Sequence, residues 1–248
     1  AMKIDVLTIF PDLFEAVLKW GVISRAIESG LIEFGAVDLR DYTDDRHRTT
    51  DDYPFGGGSG LVMKADPILR AVDTLRTDGP APYVIYTSPQ GEIFDNARAR
   101  DLSKKERLLF ICGRYEGIDE RAMSIVDEEL SIGDFVLSGG EIPVLLMVEA
   151  LSRFVPGVVG DMESVVNDSF YRGLLDHSHY TRPRNVRGLE VPDVLLSGDH
   201  EKIEIFRRKE SLERTMERRP DIFLKHELDL YDKKAILSLF EELRKNVE

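Results

Sequence analysis

Carboxylates, two histidines, two tyrosines and two arginines crowd the stretch from Asn167-Asp168-Ser169-Phe170 through Gly173-Leu174-Leu175-Asp176 to His179-Tyr180-Thr181-Arg182-Pro183. A spacer needs only to be polar and flexible. So many titratable and aromatic side chains, which packing does not require there, point instead to a loop with a function. The plain alternative is an ordered crossover whose Asp168 caps a short helix through its side-chain oxygen.

Four further segments could hold a ligand. Asp51-Asp52-Tyr53-Pro54-Phe55-Gly56-Gly57-Gly58-Ser59-Gly60 is rich in glycine, which permits positive φ and close approach of backbone to a ligand. It is not a phosphate-binding loop of the Walker type, because Lys64 stands four residues past Gly60 with no Ser or Thr after it. No GxGxxG strand-to-helix turn can be fitted either, which weighs against a dinucleotide. Ser88-Pro89-Gln90-Gly91, Gly113-Arg114-Tyr115-Glu116-Gly117 and Ser131 to Glu141 each follow an apolar run or precede an apolar helix. Singly, each could be a tight turn into a helix. Together, at the carboxyl ends of one sheet, they would hold a ligand such as an adenosine through backbone N–H and C=O groups.

The elements that must position these loops alternate up to about residue 155. Lys3–Ile9 reads as a buried strand, and Pro11 opens a helix in which Leu13, Phe14, Val17 and Leu18 recur at helical spacing. Gly21 interrupts, then a second helical piece runs to Glu28 and stops at Gly30, before a strand at Ile32–Leu39. Asp66-Pro67 begins a helix to Leu75, with Asp66 as the expected N-cap. Tyr83–Thr87 and Leu108–Cys112 are short continuous apolar strands of the kind covered on both faces, and Glu141–Phe154 is a strongly apolar helix. This alternation means an α/β fold with a largely parallel sheet and helices on both faces. Past Pro156 the composition changes. Helical spacing of Ile203, Phe206, Leu212 and Met216, then an amphipathic Asp232–Leu243, predict a small helical domain. The expected division is 1–160, a mobile linker at 161–175, and 176–248.

Cys112 is the only cysteine, which excludes an intrachain disulfide and a cysteine zinc site. No apolar run approaches membrane-spanning length and no signal pattern opens the chain, so a cytoplasmic protein without membrane contact is expected. The net charge of −13 argues against nonspecific nucleic-acid binding. The acidic excess, however, lies wholly within residues 1–170. A polyanion would be met by Arg182, Arg184 and Arg187, by Arg207, Arg208 and Lys209, and by Arg218 and Arg219. On composition alone, those clusters could be solvated helix faces.

Several motifs in the same order resemble one family. Ile9-Phe10-Pro11, Ser88-Pro89-Gln90-Gly91, Gly113-Arg114-Tyr115-Glu116-Gly117-Ile118-Asp119-Glu120-Arg121, Ser131-Ile132-Gly133-Asp134, Leu137-Ser138-Gly139-Gly140-Glu141, and Leu174-Leu175-Asp176 with His179-Tyr180-Thr181-Arg182-Pro183 look like the bacterial tRNA (guanine-N1)-methyltransferases. The match covers nearly the whole chain. It implies a C-terminal trefoil knot in the α/β domain, of the class called SPOUT, which chain-connection rules normally exclude. It also implies a homodimer with its active site at the interface, and as substrate the guanosine 3′ of the anticodon, tRNA position 37, preceded by another guanosine. S-adenosylmethionine would lie bent against Tyr86-Thr87-Ser88-Pro89-Gln90, Gly113-Arg114-Tyr115, Ser131-Ile132-Gly133, Phe135, Leu137-Ser138-Gly139-Gly140 and Pro143. A Cβ at Gly140 should obstruct that approach.

By the same resemblance Asp168 takes the guanine N1 proton, and Arg153 stabilises charge growing on O6. Arg153 could otherwise answer the dipole of its helix end. Glu116 orients the base or binds a magnesium ion, although a lone Glu is otherwise just a surface carboxylate. Gly58, Ser169, His179, Arg182, Arg184, Arg207 and Arg208 would meet tRNA, with His47 near it. Phe135 stands where many relatives carry Tyr, and His177 occupies a variable position with no assigned role. Two other functions fit the same frame: a knotted ribose 2′-O-methyltransferase, which needs no guanine-specific base, and a noncatalytic RNA-binding module, which would not need Asp168, Arg153 and Glu116.

Overall fold

The computed structural model describes residues 1–247, which divide into two compact units, Ala1–Gly160 and the chain from Asp161 onward. In the first, β1 (Met2–Thr8) leads through α1 (Pro11–Val17) and α2 (Gly21–Glu28) to β2 (Ile32–Asp38). A short antiparallel pair, β3 (Asp51–Asp52) and β4 (Val62–Met63), precedes α3 (Ala65–Arg76). There follow β5 (Tyr83–Ile93), α4 (Asn96–Leu102), β6 (Arg107–Cys112), β7 (Glu128–Ser131) and α5 (Glu141–Ser152).

The main sheet has the order β2-β1-β6-β5-β7, and every neighbouring pair is parallel. The central β6 is buried at all six positions, as its unbroken apolar run requires. Alternate residues serve opposite faces. Leu108, Phe110 and Cys112 join α1, α2 and α5 in one core, while Leu109 and Ile111 join α3 in the other. One charge pair crosses the second core. Arg107 donates from Nε to Asp5 at 2.8 Å and from Nη1 to the Leu75 carbonyl at 2.9 Å, which ties the end of α3 to the sheet.

Two expectations change. Asp66 is not the N-cap of α3. Lys64 occupies that position without a side-chain cap, and Asp66 sits in the first turn, where its carboxylate faces the helix dipole and pairs with Arg70 at 3.0 Å. The strand expected to stop at Thr87 continues to Ile93, because Ser88-Pro89-Gln90-Gly91 is a bulge. Both Thr87 and Glu92 register with Leu130 of β7. A Cβ at Gly91 would stand 2.5 Å from the Glu129 carbonyl carbon and the Leu130 nitrogen, so the chain re-enters the strand at a point only glycine fits.

The second unit opens with α6 (Met162–Asn167), whose N-cap Asp161 accepts from Glu163 N, inside the stretch expected to be a linker. A tight turn follows, in which Phe170 N donates to the Leu174 carbonyl at 2.7 Å. A short hairpin, β8 (Asn185–Val186) with β9 (Leu189–Glu190), precedes α7 (His200–Arg218), α8 (Pro220–Phe223) and α9 (Leu230–Val247). Leu212 of α7 buries against Leu174 and Ala235, whereas Met216, expected on the apolar stripe, is exposed. Asp232 at the start of α9 is fully buried, held by Arg208 and by His226 Nε2 at 2.8 Å.

Candidate active site

Loops at the carboxyl ends of β5, β6 and β7 close around a cavity of about 480 Å³ in the first unit. The loop after β6 is fastened on two sides. Gly140 N donates to the Gly113 carbonyl at 2.9 Å, and Glu116 N donates to the Leu61 carbonyl at 3.0 Å. Met63 N reaches the Gly117 carbonyl at 3.0 Å, so β4 works as an outer rail for this loop. Beyond β7, Gly133 takes φ +146°, a backbone conformation that favours glycine, while Ser131 Oγ accepts from Gly133 N at 3.2 Å.

Every residue that the sequence reading assigned to the cofactor lines this one cavity, from Tyr86 and the Ser88–Gln90 bulge through Gly113 and Ser131 to Pro143. Glu116 lines it too, its side chain lying against the α-carbon of Gly60. No group of three or more His, Cys, Asp or Glu ligand atoms gathers around Glu116 among the described residues. A cation there would draw most of its shell from water and substrate oxygens.

Gly140 lines the cavity and is also constrained by the chain itself: a Cβ there would meet Thr87 Oγ1 and the Cys112 α-carbon, the latter at 2.8 Å, so glycine lets the start of α5 lie against the end of β6.

Among the described residues of the lining Arg114 is the one basic side chain, and it is paired within the protein. Its guanidinium pairs with Glu141 at 3.0 Å and lies 4.5 Å from the centre of the Phe10 ring. Glu141 is 1% exposed and also accepts from Thr8 Oγ1 at 2.8 Å. Glu116, Glu120 and Glu129 complete the charged lining, and Glu129 accepts from Ser88 Oγ. The acidic side chains and the paired arginine make the described lining more favourable to a cation than to a phosphate. The sequence names Glu141 in a candidate loop but gives it no role, and Thr8 and Glu129 carry no local signal at all.

Titration behaviour follows packing. Burial pushes the Tyr86 hydroxyl up and the Cys112 thiol well above its usual range, which makes Cys112 inert. The hydrogen bond from Arg121 lowers the Asp119 carboxyl to about 2, and Asp119 caps the short helical turn that ends the β6 loop.

Arg153 is the half-buried C-cap of α5 in the first unit. Asp168 belongs to the second unit, where it is half-buried with extended backbone directly after α6. It does not cap a following helix. The residues assigned to tRNA lie in several settings. Gly58 is exposed on the glycine-rich loop, with open space where a Cβ would stand. Ser169 Oγ accepts from Asp176 N at 2.9 Å, and His179 Nε2 lies 2.7 Å from Asp176. Arg182, Arg184 and Arg207 line a second cavity of about 640 Å³. Arg208 is apart from them, half-buried and bound to Asp229 and Asp232.

No helix of the described residues is long and apolar enough to cross a membrane. Residues 2–225 match the family model described as tRNA (Guanine-1)-methyltransferase TrmD. Among curated relatives, a tRNA (guanine-N(1)-)-methyltransferase of Thermosipho africanus is 58% identical over 247 residues, covering 100% of both chains. Proteins of that name from Fervidobacterium nodosum and Thermotoga maritima are each 56% identical, covering 100% and 98% of both chains.

Proposed function

The chain belongs to the tRNA (guanine-1)-methyltransferase family, and on that premise we propose that it methylates N1 of the guanosine 3′ of the anticodon, tRNA position 37, where another guanosine precedes it. The modification supports reading-frame maintenance in the cytoplasm. The observation that carries the cofactor assignment is the cavity at the ends of β5–β7, where the one cation among the described lining residues is neutralised by Glu141. Such a lining suits S-adenosylmethionine, with its sulfonium and ammonium charges and no phosphate. When bound, this cofactor supplies an electrophilic methyl group on sulfur, which leaves as a thioether.

The protein's own residues do the rest. Guanine N1 carries a proton at neutral pH and has no free lone pair until that proton goes. The carboxylate of Asp168 takes it as the N1–methyl bond forms. The charge this pushes onto O6 is met by Arg153. Glu116 orients the base or holds a magnesium ion together with water and substrate. The crossing where Gly140 N meets the Gly113 carbonyl belongs to a trefoil knot in this reading, which fixes the three loops against one another.

The functional unit is a homodimer with a composite site: Asp168 of the partner subunit serves the cavity of the first. Exposed apolar side chains in the first unit, Trp20, Val17, Ile142 and Leu146, support a covered face there. An apolar helix such as α5 is ordinarily buried on all sides. Arg182, Arg184 and Arg207 meet the tRNA backbone.

The test is methyl transfer from labelled S-adenosylmethionine to a tRNA transcript with guanosine at positions 36 and 37, followed by nucleoside analysis. The expected product is 1-methylguanosine, absent when position 37 is adenosine. A 2′-O-methylated nucleoside would favour the ribose reaction, and no transfer would favour a binding module.

A further inference from the structure

Asp176, His177 and His179 place three metal-type donor atoms within 4.8 Å of one another, the one such group among the described residues. His179 Nε2 is 2.7 Å from Asp176 Oδ2, and His177 Nε2 is 3.9 Å from Asp176 Oδ1. The two imidazole rings are 4.5 Å apart. Ligands held at about 2.0–2.2 Å around one tetrahedral ion stand roughly 3.3 Å from each other. The two separations, one to each carboxylate oxygen, bracket that value, and all three donors lie within 4.8 Å of one another.

The surroundings hold the donors in the orientation a metal needs. His177 Nδ1 faces the Ser178 carbonyl at 3.0 Å, so that nitrogen carries the proton and Nε2 keeps its lone pair. A backbone acceptor on the far side of a ligating imidazole is the usual outer support of a metal site. Asp176 is fixed twice, accepting from His177 N at 2.7 Å and donating its own N–H to Ser169 Oγ at 2.9 Å. Ser178, between the histidines, is clamped to α7. Glu210 accepts its N–H and its hydroxyl at 3.1 Å each, and Arg214 donates to its oxygen at 2.9 Å.

We propose that Asp176, His177 and His179 form a site for a zinc-class divalent cation. Two imidazoles and one carboxylate suit Zn²⁺ or Co²⁺ and not Mg²⁺ or Ca²⁺, which prefer all-oxygen shells. Both imidazoles line the second cavity, so the remaining coordination positions open into it. Of the arginines there, Arg184 is paired with Asp193 at 2.7 Å and Arg207 with Glu204 at 3.2 Å, which lessens their repulsion of a cation. Arg182 favours an anionic or water-derived oxygen on the open position. The inference is independent of the methyl-transfer reading, because it rests on the donor atoms alone.

The test uses full-length protein without an affinity tag. Zn²⁺ is titrated calorimetrically, and Co²⁺ is titrated in parallel for the visible absorption of a site with fewer than six ligands. The expected result is saturable binding of one ion per chain and a rise in melting temperature, neither reproduced by Mg²⁺. His177→Ala and His179→Ala should each weaken Zn²⁺ binding at least about tenfold, and His177→Gln, which keeps a polar side chain on the loop, should do the same. His200→Ala, outside the cluster, should change nothing. Affinity in His177→Gln or His179→Ala equal to that of the parent overturns the proposal and leaves a hydrogen-bonded Asp176–His179 pair only.

Discussion

Gly140 and Cys112 approach so closely that a β-carbon at position 140 would stand 2.8 Å from the Cys112 α-carbon. The contact joins the start of α5 to the end of β6, beside the loops around the cavity. Gly140→Val therefore strains that junction itself. It should lower unfolding stability by about 1–3 kcal/mol, the usual cost of overpacking, and weaken cofactor binding along with it. Urea denaturation reads the first effect, and an unchanged midpoint would show that the segments can part without cost.

The arginines of the second unit should separate by role. Arg182→Ala, Arg184→Ala and Arg207→Ala together should weaken tRNA binding and flatten its dependence on salt, with cofactor affinity unchanged. Arg208→Ala should act through stability instead, since it takes one of several partners from a buried carboxylate, at a cost of up to about 3–5 kcal/mol. Equal melting temperatures for Arg208→Ala and the parent would put Arg208 back among the free surface cations.

Asp232 gives the helical unit an acid limit. Burial opposes its ionisation, but hydrogen bonds from Arg208, His226 and the Asp229 backbone overcome this and hold its carboxyl below the ordinary value. A depressed folded-state pKa contributes stability above the unfolded value, about 3.9, and loses it as pH falls through the folded value. Helical signal should therefore be flat from pH 7 to about 5 and decline below about 4. Asp232→Asn should remove its share of that decline and lower stability at neutral pH; a parent-like acid transition in this variant would assign the loss to other carboxylates.

Subunit complementation tests the composite site. Leu137 lines the cavity at an exposed position, so Leu137→Arg introduces a repelling cation without touching the core. Mixed with Asp168→Asn, it should restore part of the methyl transfer through heterodimers that hold one intact site. If labelled subunits exchange and activity stays absent, Asp168 serves its own chain.

Much of the frame was legible because burial on both faces leaves a plain mark. Tyr83–Thr87 and Leu108–Cys112 read as strands from continuous apolar runs, and β6 is buried throughout. β7 left no such mark, being a four-residue edge strand with acidic, half-buried Glu128 and Glu129. The Ser88–Gly91 bulge was hidden as well, because its cause is the return of the chain onto Glu129 and Leu130 and not any local preference. The glycine loops could be picked out by composition. The pairing of Glu141 with Arg114 and Thr8 could not, since the Thr8 bond spans 133 positions and exists only through the fold.

The measurement that bears most directly on the mechanism is single-turnover methyl transfer by Asp168→Asn to a transcript with guanosine at positions 36 and 37. Asparagine keeps the size of the side chain and cannot take the N1 proton. Loss of a general base ordinarily costs about 10²–10⁴-fold in rate, so transfer should fall by that order while S-adenosylmethionine and tRNA bind with parent affinity. A parent-like rate in Asp168→Asn would contradict the assignment of Asp168 as the base.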